Sequence, residues 1–320
     1  FYLAEKAIGR CTFLLLKKAL QHPADLYIAH NLAALPVAVL AAKKNKVKCG
    51  FDLEDFHRHE TSDDRNNFDV RLKTYIEEKY IPQSNYLTAS SLQITALYQA
   101  IFLNREIVTL LNTFNVVKEV SAPIAKTAEP LKLFWFSQTI GLNRGLQDIL
   151  SVLKILEQEE IELHLLGFLT EETQAELNRL MAELQFQKKP VLIFYNPISP
   201  DKIPLFASQF DVGLALEPGF CINNDAALSN KIFTYLQAGL ALIASDTTAQ
   251  KQFMVDNAEL GFCYEKGNQQ QLASILKQLI EHPDLLFSIK TNAYQAARNT
   301  LNWETESIKF LNLVNHTLSA

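Results

Sequence analysis

Short runs of apolar residues alternate along this chain with longer stretches whose apolar positions recur every three to four residues. The runs are Asp25–Ala29, Val47–Phe51, Asn85–Ala89, Glu106–Leu111, Leu131–Phe136, Glu162–Leu166, Val191–Phe194, Val212–Leu216, Ala241–Ala244 and Gly261–Tyr264. Each is the length of a buried strand. The periodic stretches predict helices over 1–21, 31–44, 65–80, 92–102, 146–156, 171–183, 203–208, 231–238, 269–281, 283–298 and 303–318. In the first, Leu3, Ala7, Leu14, Leu15 and Leu20 can share an apolar face, with Lys6, Arg10, Lys17 and Lys18 on the polar side. Strand–helix alternation on this scale predicts parallel sheets. Residues 116–130, with Pro123 and Pro130 and no periodicity, read as a linker between two domains.

The length, 320 residues, agrees with two domains, and 48% hydrophobic with 20% charged residues supplies sizeable cores. A net charge of −5 gives no global basic field for nucleic acid. Cys11, Cys49, Cys221 and Cys263 lie far apart and form no CxxC pair, so they read as reduced thiols of a cytoplasmic protein. No apolar run reaches the ~18 residues of a spanning helix, and the first residues do not read as a secretion signal. Peripheral membrane contact through a surface patch stays open.

The chemistry concentrates in Asp211–Gln250. A strand leads into a polar loop holding Glu217, Asn223, Asn224 and Asp225. Ser229 stands as an N-cap, with Asn230 and Lys231 in the first helical turn, and Gly239 ends the helix before the next strand. The loop lies at the carboxyl end of a strand, where open α/β sheets bind ligands, and a cation beside free helix-start N–H groups suits a phosphate. A second loop, 137–145, carries Gln138 and Arg144; the alternative account of the latter is a surface arginine in an ordinary turn. A third segment, Asp52–Glu60, packs Asp52, Glu54, Asp55, His57, His59 and Glu60 into nine positions. It suits a catalytic or acceptor loop, a solvated loop with helix-starting acids or, less well, a metal site, since zinc-like ligand spacing is absent.

Glu217, the run Ser229–Tyr235, Ala238-Gly239-Leu240 and Ala244-Ser245-Asp246 together resemble the donor site of GT-B nucleotide-sugar glycosyltransferases, most closely glycosyltransferase family 4. The resemblance implies two Rossmann-like parallel-sheet domains facing a cleft. The acceptor-side domain would span 1–126, with 302–320 crossing back onto it, and the donor domain 127–301. It implies a hexosyltransferase-like enzyme that moves sugar from a nucleotide diphosphate to an acceptor hydroxyl, with retention and without metal or other cofactor. The acceptor class would be a glycan, a lipid-linked or a small molecule. Glu217, His30 and Asp52 are the implied catalytic residues. Arg144, Gln138, Ser229, Asn230, Lys231, Asp225 and Thr234 are those on the donor side.

The chain departs from the family in three places. Gln138 replaces a cation, and Thr234 replaces a carboxylate that holds the donor ribose. Glu217 and position 234 stand 17 apart where the family has eight. The lengthened loop gives Asp225 the freedom to replace the missing carboxylate. The initial strand and glycine-rich loop of a GT-B first domain are also missing, which marks the chain as a fragment or a shortened relative. These departures support a competing reading, a non-catalytic GT-B module; a nucleotide-sugar epimerase is a more distant one.

Overall fold

In the computed structural model, residues 3–125 and 130–320 are described. They group into two compact units. The first comprises Phe1–Asn112, Gly219–Leu228 and Glu306–Ala320, and the second Thr113–Pro218 and Ser229–Thr305.

The first unit is built on a parallel sheet of β1 (Leu26–Ala29), β2 (Lys48–Leu53), β3 (Tyr86–Ala89) and β4 (Val108–Thr109), in that spatial order. Phe51, Leu53 and Leu87 of the sheet are fully buried against Ile76, Tyr80, Ile94 and Tyr98 of the helices Phe68–Tyr80 and Leu92–Ile101. The run expected at 106–111 pairs over two residues only. The first helix divides into Leu3–Ile8 and Thr12–Gln21, with Gly9 at the break and the Thr12 hydroxyl donating to its carbonyl at 2.6 Å. The expected apolar face is not the buried one: Leu3, Ala7, Leu14 and Leu15 are all exposed, and it is Glu5 and Thr12 that are buried.

The second unit carries a six-stranded parallel sheet. Its strands are β5 (Leu131–Thr139), β6 (Ile161–Phe168), β7 (Val191–Tyr195), β8 (Val212–Ala215), β9 (Ala241–Ser245) and β10 (Gly261–Tyr264), ordered β10-β9-β8-β5-β6-β7. One sheet face buries Leu133, Trp135, Leu163, Leu165, Leu214 and Ile243 beneath the helices Leu146–Ile155 and Gln269–Glu281. On the β5 strand Phe134 stacks on Phe210 at 4.7 Å between ring centres and meets Tyr235 edge-on. Strand order reverses between β5 and β8, so the loops after these two strands open a crevice at the sheet's carboxyl edge.

Candidate active site

The crevice of the second unit is lined by the loops that follow β5 and β8. They meet at Gly145, whose φ of +82° is the left-handed region; a Cβ there would stand 2.3 Å from the Leu216 carbonyl oxygen. Only glycine permits this approach. Arg144 is exposed at the end of the turn Leu142–Arg144. Gln138 is also exposed, but it belongs to β5 itself, which runs to Thr139 beyond a register shift after Phe136.

Helix Asn230–Ala238 starts beside this crevice. Ser229 occupies the N-cap position without capping; its hydroxyl instead donates to Glu217 Oε1 at 2.9 Å. Lys231 Nζ donates to the same oxygen at 2.5 Å and lies 6.0 Å from the Trp135 ring centre. Burial alone would raise the Glu217 pKa. The Lys231 ammonium outweighs it, with Ser229 and Arg144 adding to the effect, and holds the carboxyl below its ordinary value. Sequence logic gave Glu217 to a sugar and Lys231 to a phosphate as separate tasks. The fold joins them in one buried pair, with two ammonium protons left for a further acceptor. Thr234 is 5% exposed and turns its hydroxyl back to the Asn230 carbonyl, 3.4 Å away.

Ser245 and Gln250, neither singled out from sequence as polar anchors, support Glu217 from behind. Ser245 Oγ donates to the Glu217 carbonyl at 2.7 Å, and Gln250 Nε2 lies 3.0 Å from Ser245 Oγ. Gln250 lies in the first turn of the helix Thr248–Asp256, whose mixed polarity hid it from the periodicity reading.

The first unit brings together His30, Asp52 and Thr88 at the carboxyl end of its sheet. His30 follows β1 and its side chain is 65% exposed; its Nδ1 lies 2.6 Å from Asp52 Oδ2. Asp52, the fifth residue of β2, accepts from the Thr88 hydroxyl of β3 at 2.6 Å through its other oxygen. Burial raises the Asp52 pKa, with Thr88 and His30 acting against it. Burial raises Glu54 also, helped by repulsion from Asp52 and Asp55. The result is a largely exposed histidine oriented by a half-buried carboxylate that Thr88 anchors, an arrangement that suits a general base.

The segment after β2 is not a free loop. Residues His57–His59 form one helical turn, fixed by Glu77, which accepts from Arg58 N at 2.9 Å, Arg58 Nε at 2.5 Å and the Tyr98 hydroxyl at 2.7 Å. Among the described residues, Asp55, His57 and Glu60 are the group placed to hold a metal ion. Glu60 already has a cation: Lys73 Nζ stands 2.5 Å from it. Burial would raise the Glu60 pKa, but hydrogen bonds from His57 and Lys73 hold it down at about 2. The inserted residues Gly219–Leu228 belong to this unit. They form the short helix Ile222–Ala226, in which Asn223 accepts from Phe56 N at 2.6 Å and donates to Asp55 Oδ1 at 2.9 Å. Asp225 lies on this helix, in the first unit, while Thr234 lies in the second. The four cysteines are free, and burial pushes the Cys49 thiol up to about 12.

The model of the family described as "Glycosyl transferases group 1" matches residues 118–296, more than half of the chain. No curated protein matches the sequence. Solved structures similar in fold include the Anabaena protein Alr3699/HepE in complex with UDP and glucose. It aligns with TM-score 0.74 and 17% identity over 97% of this chain and 83% of that one. Sucrose-phosphate synthase from Thermosynechococcus elongatus aligns with TM-score 0.77 and 12% identity over 99% of this chain and 79% of that one. A glycosyltransferase from Rickettsia africae aligns with TM-score 0.70 and 16% identity, covering 97% and 81%. The two parallel-sheet units are those of the GT-B class.

Proposed function

The chain belongs to the group 1 glycosyl transferases, and from that premise we propose that it moves a sugar from a nucleoside-diphosphate donor to an acceptor hydroxyl. The observation that carries this reading is the Glu217–Lys231 pair at the β5/β8 crevice, with Arg144 beside it. The spare protons of Lys231, the Arg144 guanidinium and the first N–H groups of helix Asn230–Ala238 form a cationic cradle for a diphosphate leaving group. Such a cradle stabilises the departing charge without a metal. Ser229, Asn230, Gln138 and Thr234 complete the donor side, and Glu217 faces the sugar. Retention at the anomeric carbon is part of the proposal and rests on the family 4 resemblance.

On the acceptor side His30 receives the hydroxyl hydrogen bond, with Asp52 as its positioning residue and Thr88 anchoring Asp52. The similar Anabaena protein was solved with UDP and glucose, and UDP-glucose is therefore the first donor to try, with a glycan or small sugar as acceptor. The proposed site is cytoplasmic; peripheral membrane contact is compatible with it, and among the described residues no helix is long and apolar enough to cross a membrane. The reading is tested by UDP release from UDP-glucose in the presence of a panel of sugars. His30→Ala should lower transfer roughly 100- to 10,000-fold, the usual range for a lost general base, while UDP still binds. Unchanged transfer in His30→Ala would remove the residue from the mechanism. A non-catalytic module is the second reading, favoured by the uncharged Gln138 and by Thr234 turning its hydroxyl to its own helix.

A further inference from the structure

We propose that Gln250 is a positioning residue for the donor sugar, acting through Ser245 on the backbone of Glu217. The inference rests on the donor-site reading above and adds to it the means by which Glu217 is aimed.

Glu217 stands two residues past the end of β8, where sheet pairing no longer holds the chain. Its side chain is held by Lys231 and Ser229. Its backbone needs a separate anchor, and the end of β9 supplies one. Ser245, the last residue of β9, is 1% exposed and gives its single hydroxyl proton to the Glu217 carbonyl at 2.7 Å. With that proton committed, Ser245 Oγ can only accept, and Gln250 Nε2 is placed to donate to it at 3.0 Å. The same amide nitrogen reaches the carbonyls of Ser245 at 2.9 Å and Ala215 at 3.1 Å, the terminal residues of β9 and β8. Gln250 is therefore a clamp across the ends of two neighbouring strands, and it feeds a directional chain from amide to hydroxyl to the Glu217 carbonyl.

Three details separate a functional clamp from incidental satisfaction of strand ends. Gln250 is fully buried, and among the described residues its Oε1 has no hydrogen-bond partner. A buried amide with one atom unsatisfied is costly, so an apolar residue would be the more stable choice if strand ends alone were at stake. The chain also ends on the one backbone carbonyl belonging to the carboxylate that faces the sugar. Finally, buried hydrogen-bond chains in a low-dielectric setting reinforce one another, so loss of the first donor loosens the last acceptor. Lys231 is paired with the Glu217 side chain, but its backbone rides on helix Asn230–Ala238, which Ile232, Phe233 and Leu236 bury independently of the clamp.

The two halves of the donor should thus respond differently. The full chain and its Gln250→Leu and Ser245→Ala variants are titrated calorimetrically with UDP and with UDP-glucose. UDP affinity should stay within about two-fold of wild type, while UDP-glucose should bind about ten-fold more weakly, the size expected when a buried polar contact is lost. The readout is the ratio of the two dissociation constants, which a general loss of stability does not move. Ser245→Ala deletes one atom and carries the test if Gln250→Leu does not fold. An unchanged ratio, with both ligands still bound, overturns the clamp and leaves the donor site standing. A wild-type chain that binds neither ligand overturns the donor-site reading, and the clamp with it.

Discussion

Replacing Lys231 by methionine removes the cation from a pair in which Lys231 is 8% and Glu217 9% exposed. The Glu217 carboxylate then keeps only the Ser229 hydroxyl and the more distant Arg144 charge. Breaking a buried ion pair on one side costs about 3–5 kcal/mol, because an uncompensated charge stays behind. The cost depends on pH, and the sign follows from the direction of each shift. In the wild type the Glu217 pKa is depressed, so its contribution is present above the unfolded carboxyl value of ~4.3 and is lost as pH falls through the folded value. In Lys231→Met the burial is no longer outweighed and the pKa rises. Stability is then full below the unfolded value and is lost as pH climbs through the raised folded one. The two proteins should converge in stability only as pH falls below about 4, through the depressed wild-type value, and separate towards neutrality. Trp135 and Trp303 both lie in the second unit, so urea unfolding followed by tryptophan fluorescence reads the affected unit. The double variant Glu217→Gln/Lys231→Met should recover most of the loss, since it buries no charge. A stability gap independent of pH between 4 and 8, or a double variant no more stable than the single one, would refute the coupling.

A further prediction addresses the inserted segment. Asn223→Ala strands the Phe56 N–H and one Asp55 oxygen. It should cost about 1–3 kcal/mol and speed amide hydrogen exchange across 55–63, leaving second-unit amides at their wild-type rates; unchanged exchange in 55–63 would show that the contact is dispensable.

Much of the architecture was legible because apolar runs and helical periodicity were strong. The helices Glu171–Glu183 and Gln269–Glu281 and strand β10 have the boundaries their patterns predict. The failures have physical causes. Thr248–Asp256 buries Gln250 beside Ala249, Phe253 and Met254, so its inner face is not apolar in sequence. Ile222–Ala226 spells INNDA, and what makes it helical is packing against residues more than 130 positions away, including the Ser91 hydroxyl bonded to the Ala226 carbonyl. The site was legible as residue types and not as partnerships. Glu217 and Lys231 were singled out, but a contact across 14 positions depends on how β8 and the following helix are set. His30 and Asp52 were also singled out. Thr88, which completes their arrangement, carries no signal of its own, because a threonine at the middle of a strand is ordinary.

The central claim is that the β5/β8 crevice of the second unit is a diphosphate site built on Lys231 and Arg144. Calorimetric titration of the wild-type chain and of Arg144→Ala with UDP and with uridine tests it most directly. The account predicts that UDP binds the wild type far more tightly than uridine. It also predicts that Arg144→Ala loses about 1.5–3 kcal/mol for UDP, the range of a charge-assisted hydrogen bond, and nothing for uridine. Equal binding of UDP and uridine by the wild type, or an Arg144→Ala variant that binds UDP as the wild type does, would contradict it.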